Sequence, residues 1–134
     1  MLPLVTITAK SNVNKEVAHA FETSFKNAVN QRWYRIDKNY MVKFILDDQK
    51  NTALFKKNGA LIYHISYGFE KDLPDDIRDM VKSSYALYTI TRAVKVNQDA
   101  RIIWVINLGK TDKLVLARVE NGILEEVGDY NKSE

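Results

Sequence analysis

The sequence contains no cysteine, which excludes disulfides, thiolate metal ligands and a cysteine nucleophile. Its two histidines, His19 and His64, are too few for a zinc site, because zinc needs three or four donors. The five glycines are dispersed at predicted turns and form no Gly-rich loop for phosphate. We therefore expect no catalytic, metal-binding or cofactor-binding residues, and we expect the protein not to be an enzyme.

Long apolar runs and a strong excess of one charge are also missing. No apolar run approaches the roughly 18 residues that a membrane span needs. The 20 basic and 17 acidic residues give a net charge of +3, and the basic residues are scattered, whereas a nucleic-acid binder concentrates them in one patch or stripe. We expect neither a membrane span nor a nucleic-acid partner. A chain of 134 residues fits one domain, residues 1–134.

Hydrophobic periodicity predicts two helices. In the first, residues 14–29, the residues at spacings of three and four that share one face are Val17, Ala18, Phe21, Phe25 and Ala28. Asn12 or Asn14 can cap its start. The second predicted helix, residues 74–86, begins with Pro74, whose missing N–H is not needed in a first turn. Its aspartates place negative charge near the positive end of the helix dipole.

Alternating apolar residues after each helix predict antiparallel strands. We expect Tyr40, Val42 and Phe44 to share one face with the helix, and Phe21, Phe25, Trp33, Tyr40 and Phe44 to form one aromatic core. Asp47–Asn51 reads as a turn and Asp129–Glu134 as a frayed polar tail. Met1–Ala9 is apolar but lacks a basic region, and is either a short first strand, a loose terminus, the remnant of a signal peptide or an added segment.

Both halves of the chain repeat one order of elements: a helix, three strands, an Asn-Gly turn and a closing strand. The two Asn-Gly turns have glycines at positions 59 and 122, 63 residues apart, and Asn-Gly favours the positive φ angles of a tight type I′ hairpin. The sequence therefore predicts an α+β fold built from a tandem repeat of helix plus antiparallel β-hairpins, with repeats at about residues 13–70 and 71–128.

Several segments together resemble a known family. They are A-F-x-x-x-F-x-x-A over Ala20–Ala28, then Trp33, Tyr40-Met41-Val42-Lys43-Phe44, an Asn-Gly hairpin, Leu73-Pro74-Asp75-Asp76-Ile77 and Tyr85. Over about Val13–Val127 the chain resembles the PepSY-like family of β-lactamase-inhibitor-like proteins, which is common in Bacteroidetes. The resemblance implies a β-lactamase-inhibitor-protein-like fold, an export signal and hence a periplasmic or secreted protein with its signal peptide removed. It implies no catalytic or metal-binding residues.

The sheet face opposite Tyr40, Val42 and Phe44 is the candidate binding surface. It carries Met41, Lys43 and Ile45, and Lys56 and His64 could join it. A mixed apolar and basic face would suit a protein or peptide partner, as in an inhibitor-like binding module. The alternative interpretation is an ordinary sheet face that is partly exposed to solvent and binds no partner. A different function, carriage of a small molecule or lipid in a pocket between helices and sheet, is suggested by the two-faced apolar strand Ile102–Leu108.

Overall fold

A computed structural model describes residues 5–9 and 12–132 of the protein. The chain divides into two compact units, Met1–Ser66 (unit 1) and Tyr67–Glu134 (unit 2). Two ten-residue α-helices and nine strands occupy the described residues, and each unit has one helix followed by antiparallel strands. The fold is thus mainly β, with α-helix as the smaller part. No helix in this part of the chain is both long and apolar enough to cross a bilayer.

Unit 1 contains one helix and five strands whose order in the sheet follows the sequence. These elements are β1 (Val5–Thr8), α1 (Lys15–Ser24), β2 (Val29–Ile36), β3 (Asn39–Leu46), β4 (Gln49–Phe55) and β5 (Leu61–Gly68), of which β5 ends two residues past Ser66. β1 confirms the short first strand for residues 5–8, whereas the rest of Met1–Ala9 lies partly outside the described residues. The predicted turn over Asp47–Asn51 is wrong beyond Asp48, because Gln49 already begins β4.

α1 begins and ends at identifiable side chains. Asn14 caps its start by accepting a hydrogen bond from the Val17 N–H at 2.9 Å, which satisfies one of the unpaired amides of the first turn. The helix ends at Ser24, because Phe25 leaves helical geometry (φ −131°, ψ 68°) while its N–H still bonds the Phe21 carbonyl. The predicted end at residue 29 is therefore wrong.

The core of unit 1 is aromatic. Phe21 lies at the centre, with ring centroids 5.6 Å from Phe25, 5.3 Å from Trp33 and 5.1 Å from Phe44. Tyr40 is buried in the same cluster, so the predicted aromatic core is confirmed. Burying one such side chain stabilises the fold by roughly 2–3 kcal/mol, and edge-to-face rings add about 0.5–1.5 kcal/mol per pair.

The hairpin between β4 and β5 packs its turn against α1. Gly59 has φ +90° and is the residue of this turn with positive φ, which confirms the prediction for the glycine. The expected type I′ geometry is wrong here, since Asn58 keeps negative φ and the loop spans five residues, 56–60. A Cβ on Gly59 would lie 2.9 Å from the Glu16 carbonyl oxygen, and the Asn14 side chain donates to the Lys57 carbonyl at 2.8 Å.

Unit 2 starts with a short 3-10 turn and then has one helix and four strands. Its elements are the turn Glu70–Asp72, α2 (Asp75–Ser84), β6 (Thr89–Gln98), β7 (Arg101–Lys110), β8 (Lys113–Glu120) and β9 (Ile123–Asn131). α2 starts after Pro74, which provides no side-chain cap. β9 continues to Asn131 and stays paired with β8 beyond a register shift at Leu116, so the predicted frayed tail from Asp129 is wrong up to that residue.

The core of unit 2 is mostly aliphatic. Its buried residues are Leu73, Val81, Ile90, Ala93, Trp104, Ile106, Leu108, Val115, Ala117 and Val119. Tyr85, the residue that ends α2, packs against this core and donates a hydrogen bond to Glu126 at 2.9 Å. Burial, followed by the hydrogen bond and the charge of Glu126, raises the pKa of Tyr85 to about 12.

Candidate functional site: the open sheet face of unit 1

Strand register divides the side chains of unit 1 between two sheet faces. Directly paired residues of antiparallel strands point to the same side, and neighbours along a strand alternate. Trp33 pairs with Val42, and Val42 pairs with Ala53, so this row faces α1. The rows on either side of it face away from α1, and we call that side the open face.

An apolar row crosses four strands of the open face. Ile7 pairs with Tyr34, Tyr34 with Met41, and Met41 with Leu54. Ile7 is 82% exposed, while the other three side chains are half-buried. We call these four residues the apolar row. A contiguous, partly exposed apolar surface of this kind can mark an interaction site.

Cations lie beside the apolar row. Arg32 pairs directly with Lys43, and Lys50 pairs with Ile45 in the next row of the open face. All three basic side chains are exposed. The Lys43 ammonium lies 5.5 Å from the centroid of the Tyr34 ring, within the range of a cation–π interaction.

The structure brings together three of the five predicted binding residues. Met41, Lys43 and Ile45 alternate along β3 on the open face. Lys56 is exposed but lies in the loop after β4, beyond the strand rows. His64 does not belong to this surface: its ring lies 4.7 Å from that of Phe25 and 6.1 Å from that of Phe44, so it lies on the side covered by α1.

His64 takes part in a polar cluster on that covered side. The Asn51 side-chain oxygen is 2.8 Å from Nε2 of His64 and accepts a hydrogen bond from the Ser66 hydroxyl at 2.9 Å. Asn51 is buried, and its amide donates to the Gln49 carbonyl. Buried polar groups require such partners, and Asn51, His64 and Ser66 provide them to one another.

Sequence reasoning missed Ile7, Arg32, Lys50 and Leu54 as members of the open face. Arg32 follows a register irregularity in β2 between Val29 and Arg32, and a bulge of this kind breaks simple alternation. Lys50 fell inside the predicted turn. Leu54 could have been found by alternation along β4. Thr52 pairs with Lys43 on the open face, and Leu54 lies two residues further along the same strand, on the same side.

Unit 2 contains a cleft of about 410 Å³. Trp104, Ile77, Ile102 and Val119 supply its apolar lining, beside the two hairpin tips at Ala100–Arg101 and Asn121–Gly122. Glu120 forms part of the wall and accepts hydrogen bonds from Arg101 at 2.7 and 2.9 Å and from Arg118 at 2.5 Å. The hydrogen bonds from Arg101, ahead of those from Arg118, lower the pKa of Glu120 to about 2.

The open face and the cleft both consist of apolar side chains with charged groups beside them. In the part of the chain that the structure describes, no three His, Cys, Asp or Glu side chains are grouped so that they could hold a metal ion. The open face offers apolar contact, a cation–π pair and guanidinium or ammonium donors. Those groups are suited to binding.

Comparisons with known proteins relate the chain to solved structures. No family model matches the sequence, and none of the curated proteins matches it. A BLIP-like protein from Bacteroides fragilis superposes with a TM-score of 0.72 at 16% identity, over 90% of this chain and 89% of that chain. A DUF2874 family protein from Bacteroides ovatus superposes with a TM-score of 0.68 at 19% identity, over 87% and 86%.

A third similar structure comes from Bacteroides eggerthii and is described as a proposed periplasmic protein. It has a TM-score of 0.68 at 13% identity and covers 89% of this chain and 88% of its own. Likeness at these identities is a likeness of fold, and fold alone does not assign function. The resemblance to β-lactamase-inhibitor-like proteins of the Bacteroidetes type is confirmed at that level: the chain has the fold of the BLIP-like and DUF2874 proteins of Bacteroides.

Proposed function

We propose that the protein is a non-enzymatic binding module that holds a protein or peptide partner on the open face of unit 1. The observation that carries this proposal is the apolar row, with Met41 at its centre and cations beside it. The BLIP-like and DUF2874 structure neighbours also support a non-catalytic role. An inhibitor-like action on a peptidase or another enzyme is one form that this binding could take.

Capture from the native envelope fraction tests the binding module. Wild-type protein is compared with a Met41→Asp variant, which places a carboxylate in the apolar row and should abolish specific capture because burying an unpaired charge is costly. Leu87→Asp is the matched control, since Leu87 is 83% exposed in unit 2 and lies outside the row. Equal capture by wild type and Met41→Asp would contradict the proposal.

We also propose that the protein acts outside the cytoplasm, in the periplasm or as a secreted protein. The fold-level likeness to a proposed periplasmic protein supports this location. Cell fractionation followed by immunoblotting tests it. Recovery in the cytoplasmic fraction alone would contradict it.

We also propose that the two units are tandem repeats of one helix-plus-hairpins segment. α1 and α2 each have ten residues and begin 60 positions apart, at residues 15 and 75. The residue after each helix donates its N–H to the carbonyl of the residue four positions earlier: Phe25 donates to Phe21, and Tyr85 donates to Val81. Superposition of the two units on their last hairpins should bring α1 over α2. Helices on opposite sheet faces after that superposition would contradict the repeat.

The cleft of unit 2 favours a second candidate function, the carriage of a small molecule or lipid. Its volume of about 410 Å³ lies in the range of small-molecule sites, and it has an apolar floor at Trp104. Fluorescence of Trp104 in a Trp33→Phe background tests this function by titration with a naphthalene sulfonate dye and with fatty acids. No saturable change, or one that an Ile102→Glu substitution leaves intact, would contradict it.

A further inference from the structure

Three cations of the open face are close neighbours. Arg32 and Lys43 are directly paired across β2 and β3, a position that places Cβ atoms about 5 Å apart. Lys50 occupies the next row of β4, diagonal to Lys43, at a distance of roughly 7–8 Å. The strands of unit 1 thus hold three positive charges in a small area, which we call the basic cluster.

The basic cluster is unfavourable for the isolated protein. Like charges directly opposite on a sheet destabilise the pairing, and none of the three residues forms an ion pair within the described part of the chain. No Asp or Glu stands at the open-face positions of β1 to β4. A group from outside the protein could neutralise the cluster.

Strand cations of unit 2 are arranged differently. Arg101 and Arg118 both bond Glu120, and Lys113 pairs with Asp129. Other strand cations of unit 2, Arg92, Lys95 and Lys110, lie over aromatic rings instead. Pairing of strand cations with carboxylates is therefore available to this fold, but Arg32, Lys43 and Lys50 form no such pair in the described residues.

We propose that the partner held on the open face is an acidic protein segment, with carboxylates on the basic cluster and an apolar side chain on the apolar row. This inference rests on the proposed function and adds the chemistry of the partner. Carboxylates suit the site because the Arg32 guanidinium can hold one bidentately and Lys43 supplies a second donor. A nucleic acid suits it less, since phosphate binding would make no use of the apolar side chains Ile7, Met41 and Leu54.

A peptide titration of the full chain tests the proposal. The probes are three pentapeptides, Glu-Glu-Trp-Glu-Glu, Glu-Glu-Ser-Glu-Glu and Lys-Lys-Trp-Lys-Lys, followed by amide chemical shifts in NMR spectra at low salt. We expect the acidic Trp peptide to bind most tightly and to shift amides of Met41 and Lys43. The Ser peptide should bind at least about threefold more weakly, because it offers no large apolar contact.

Matched charge variants locate the interaction. Lys43→Gln and Lys26→Gln each remove one positive charge, and Lys26 is exposed outside the strands of the sheet. Lys43→Gln should weaken binding of the acidic Trp peptide about two- to fivefold, as expected for one exposed charge pair, while Lys26→Gln should have little effect. Lys43→Gln should also melt no earlier than wild type, because it removes the repulsion with Arg32.

Three outcomes would overturn the acidic partner: equally tight binding of the lysine peptide, equal weakening by Lys43→Gln and Lys26→Gln, or tighter binding of a short DNA oligonucleotide that displaces the acidic peptide. Failure of the acidic-partner proposal can be distinguished from failure of the proposed binding function. If the acidic peptides do not bind but Met41→Asp still abolishes capture from the envelope fraction, the open face binds a partner of different chemistry. If capture is also insensitive to Met41→Asp, both proposals are wrong.

Discussion

The tip of the last hairpin packs against the helix in unit 1 and meets open space in unit 2. Gly59 lies so close to the first turn of α1 that a Cβ would be 2.9 Å from the Glu16 carbonyl oxygen, whereas a Cβ on Gly122 would have no neighbour within 4 Å. The open tip of unit 2 lines a cleft of about 410 Å³. The same order of elements thus has a packed hairpin tip in unit 1 and an open one in unit 2.

The chemistry of the two units differs along with this packing. Unit 1 relies on ring contacts around Phe21 and on a capped helix, while unit 2 has an aliphatic core, an uncapped α2 and ion pairs along its strands. Substitutions in the two cores, at the two hairpin glycines and at Asn14, together with a pH series, test how much each of these features contributes to stability.

Phe44→Ala should have the largest effect. Truncation of a buried Phe costs about 3–5 kcal/mol because it adds a cavity to the lost burial, and Phe44 contacts the rings of Phe21 and Phe25. Ile106→Val in the core of unit 2 should cost only about 0.5–1.5 kcal/mol. Denaturant unfolding measures both. A change below about 1 kcal/mol for Phe44→Ala would contradict its place in the core.

Substitutions at the two hairpin glycines test the contrast directly. Gly122→Ala should cost about 1–2 kcal/mol, the cost of left-handed backbone for an L residue. Gly59→Ala should cost about 2–4 kcal/mol, because steric overlap with α1 is added. Asn tolerates positive φ, so Gly122→Asn should approach wild-type stability while Gly59→Asn should not. Equal losses at both positions in denaturant unfolding would contradict the packed tip of unit 1.

Changes at Asn14 separate its cap from its contact with the hairpin. Asn14→Ala should cost about 1–2 kcal/mol through loss of the helix cap and of the bond to the Lys57 carbonyl. Asn14→Asp keeps an acceptor for the Val17 N–H but cannot donate to Lys57, so it should cost less. Thermal unfolding checks the order. If Asp is as damaging as Ala, the bond to the hairpin dominates.

Low pH should remove a small contribution that ion pairs of unit 2 make to the free energy of unfolding. The folded pKa of Glu120 is lowered to about 2 by Arg101 and Arg118, so its ion pairs stabilise the protein above the ordinary value of 4.5 and lose effect as pH falls toward 2. The stability difference between wild type and Glu120→Gln should therefore shrink over that window in urea unfolding. The difference should be modest, since Arg101, the main partner of Glu120, is exposed, and a constant difference would contradict the assignment.

The sequence predicted the parts of the fold that depend on local pattern. Phe21, Phe25 and Phe44 follow the helical and strand periods, and both Asn-Gly pairs mark hairpins. The burial of Asn51 was not predicted, because a polar residue does not contribute to the apolar periodicity of a strand. Its partners, His64 and Ser66, come from the next strand. The early end of α1 depends on the geometry of Phe25, which residue preferences do not encode.

The candidate site was predictable only along one strand. Alternation places Met41, Lys43 and Ile45 on one face, but the neighbours contributed by β1, β2 and β4 depend on register. The irregularity after Val29 shifts that register by an amount that the sequence does not specify. His64 was misplaced for the same reason, since its face was assigned without a known partner strand.

The two hairpin tips should also differ in how the protein ages in storage. Asn is a thermolabile residue: in an Asn-Gly pair the glycine nitrogen loses its proton and attacks the side-chain amide carbon, ammonia leaves, and water opens the resulting succinimide. The Gly59 N–H is held by the Lys56 carbonyl at 2.9 Å, and the Asn58 side chain accepts from the Ala60 N–H at 3.0 Å. Asn121 adjoins a glycine that faces open space. Peptide mapping by mass spectrometry after warm, mildly alkaline incubation should find Asn121 converted well before Asn58, and equal rates would show that hairpin packing does not protect Asn58.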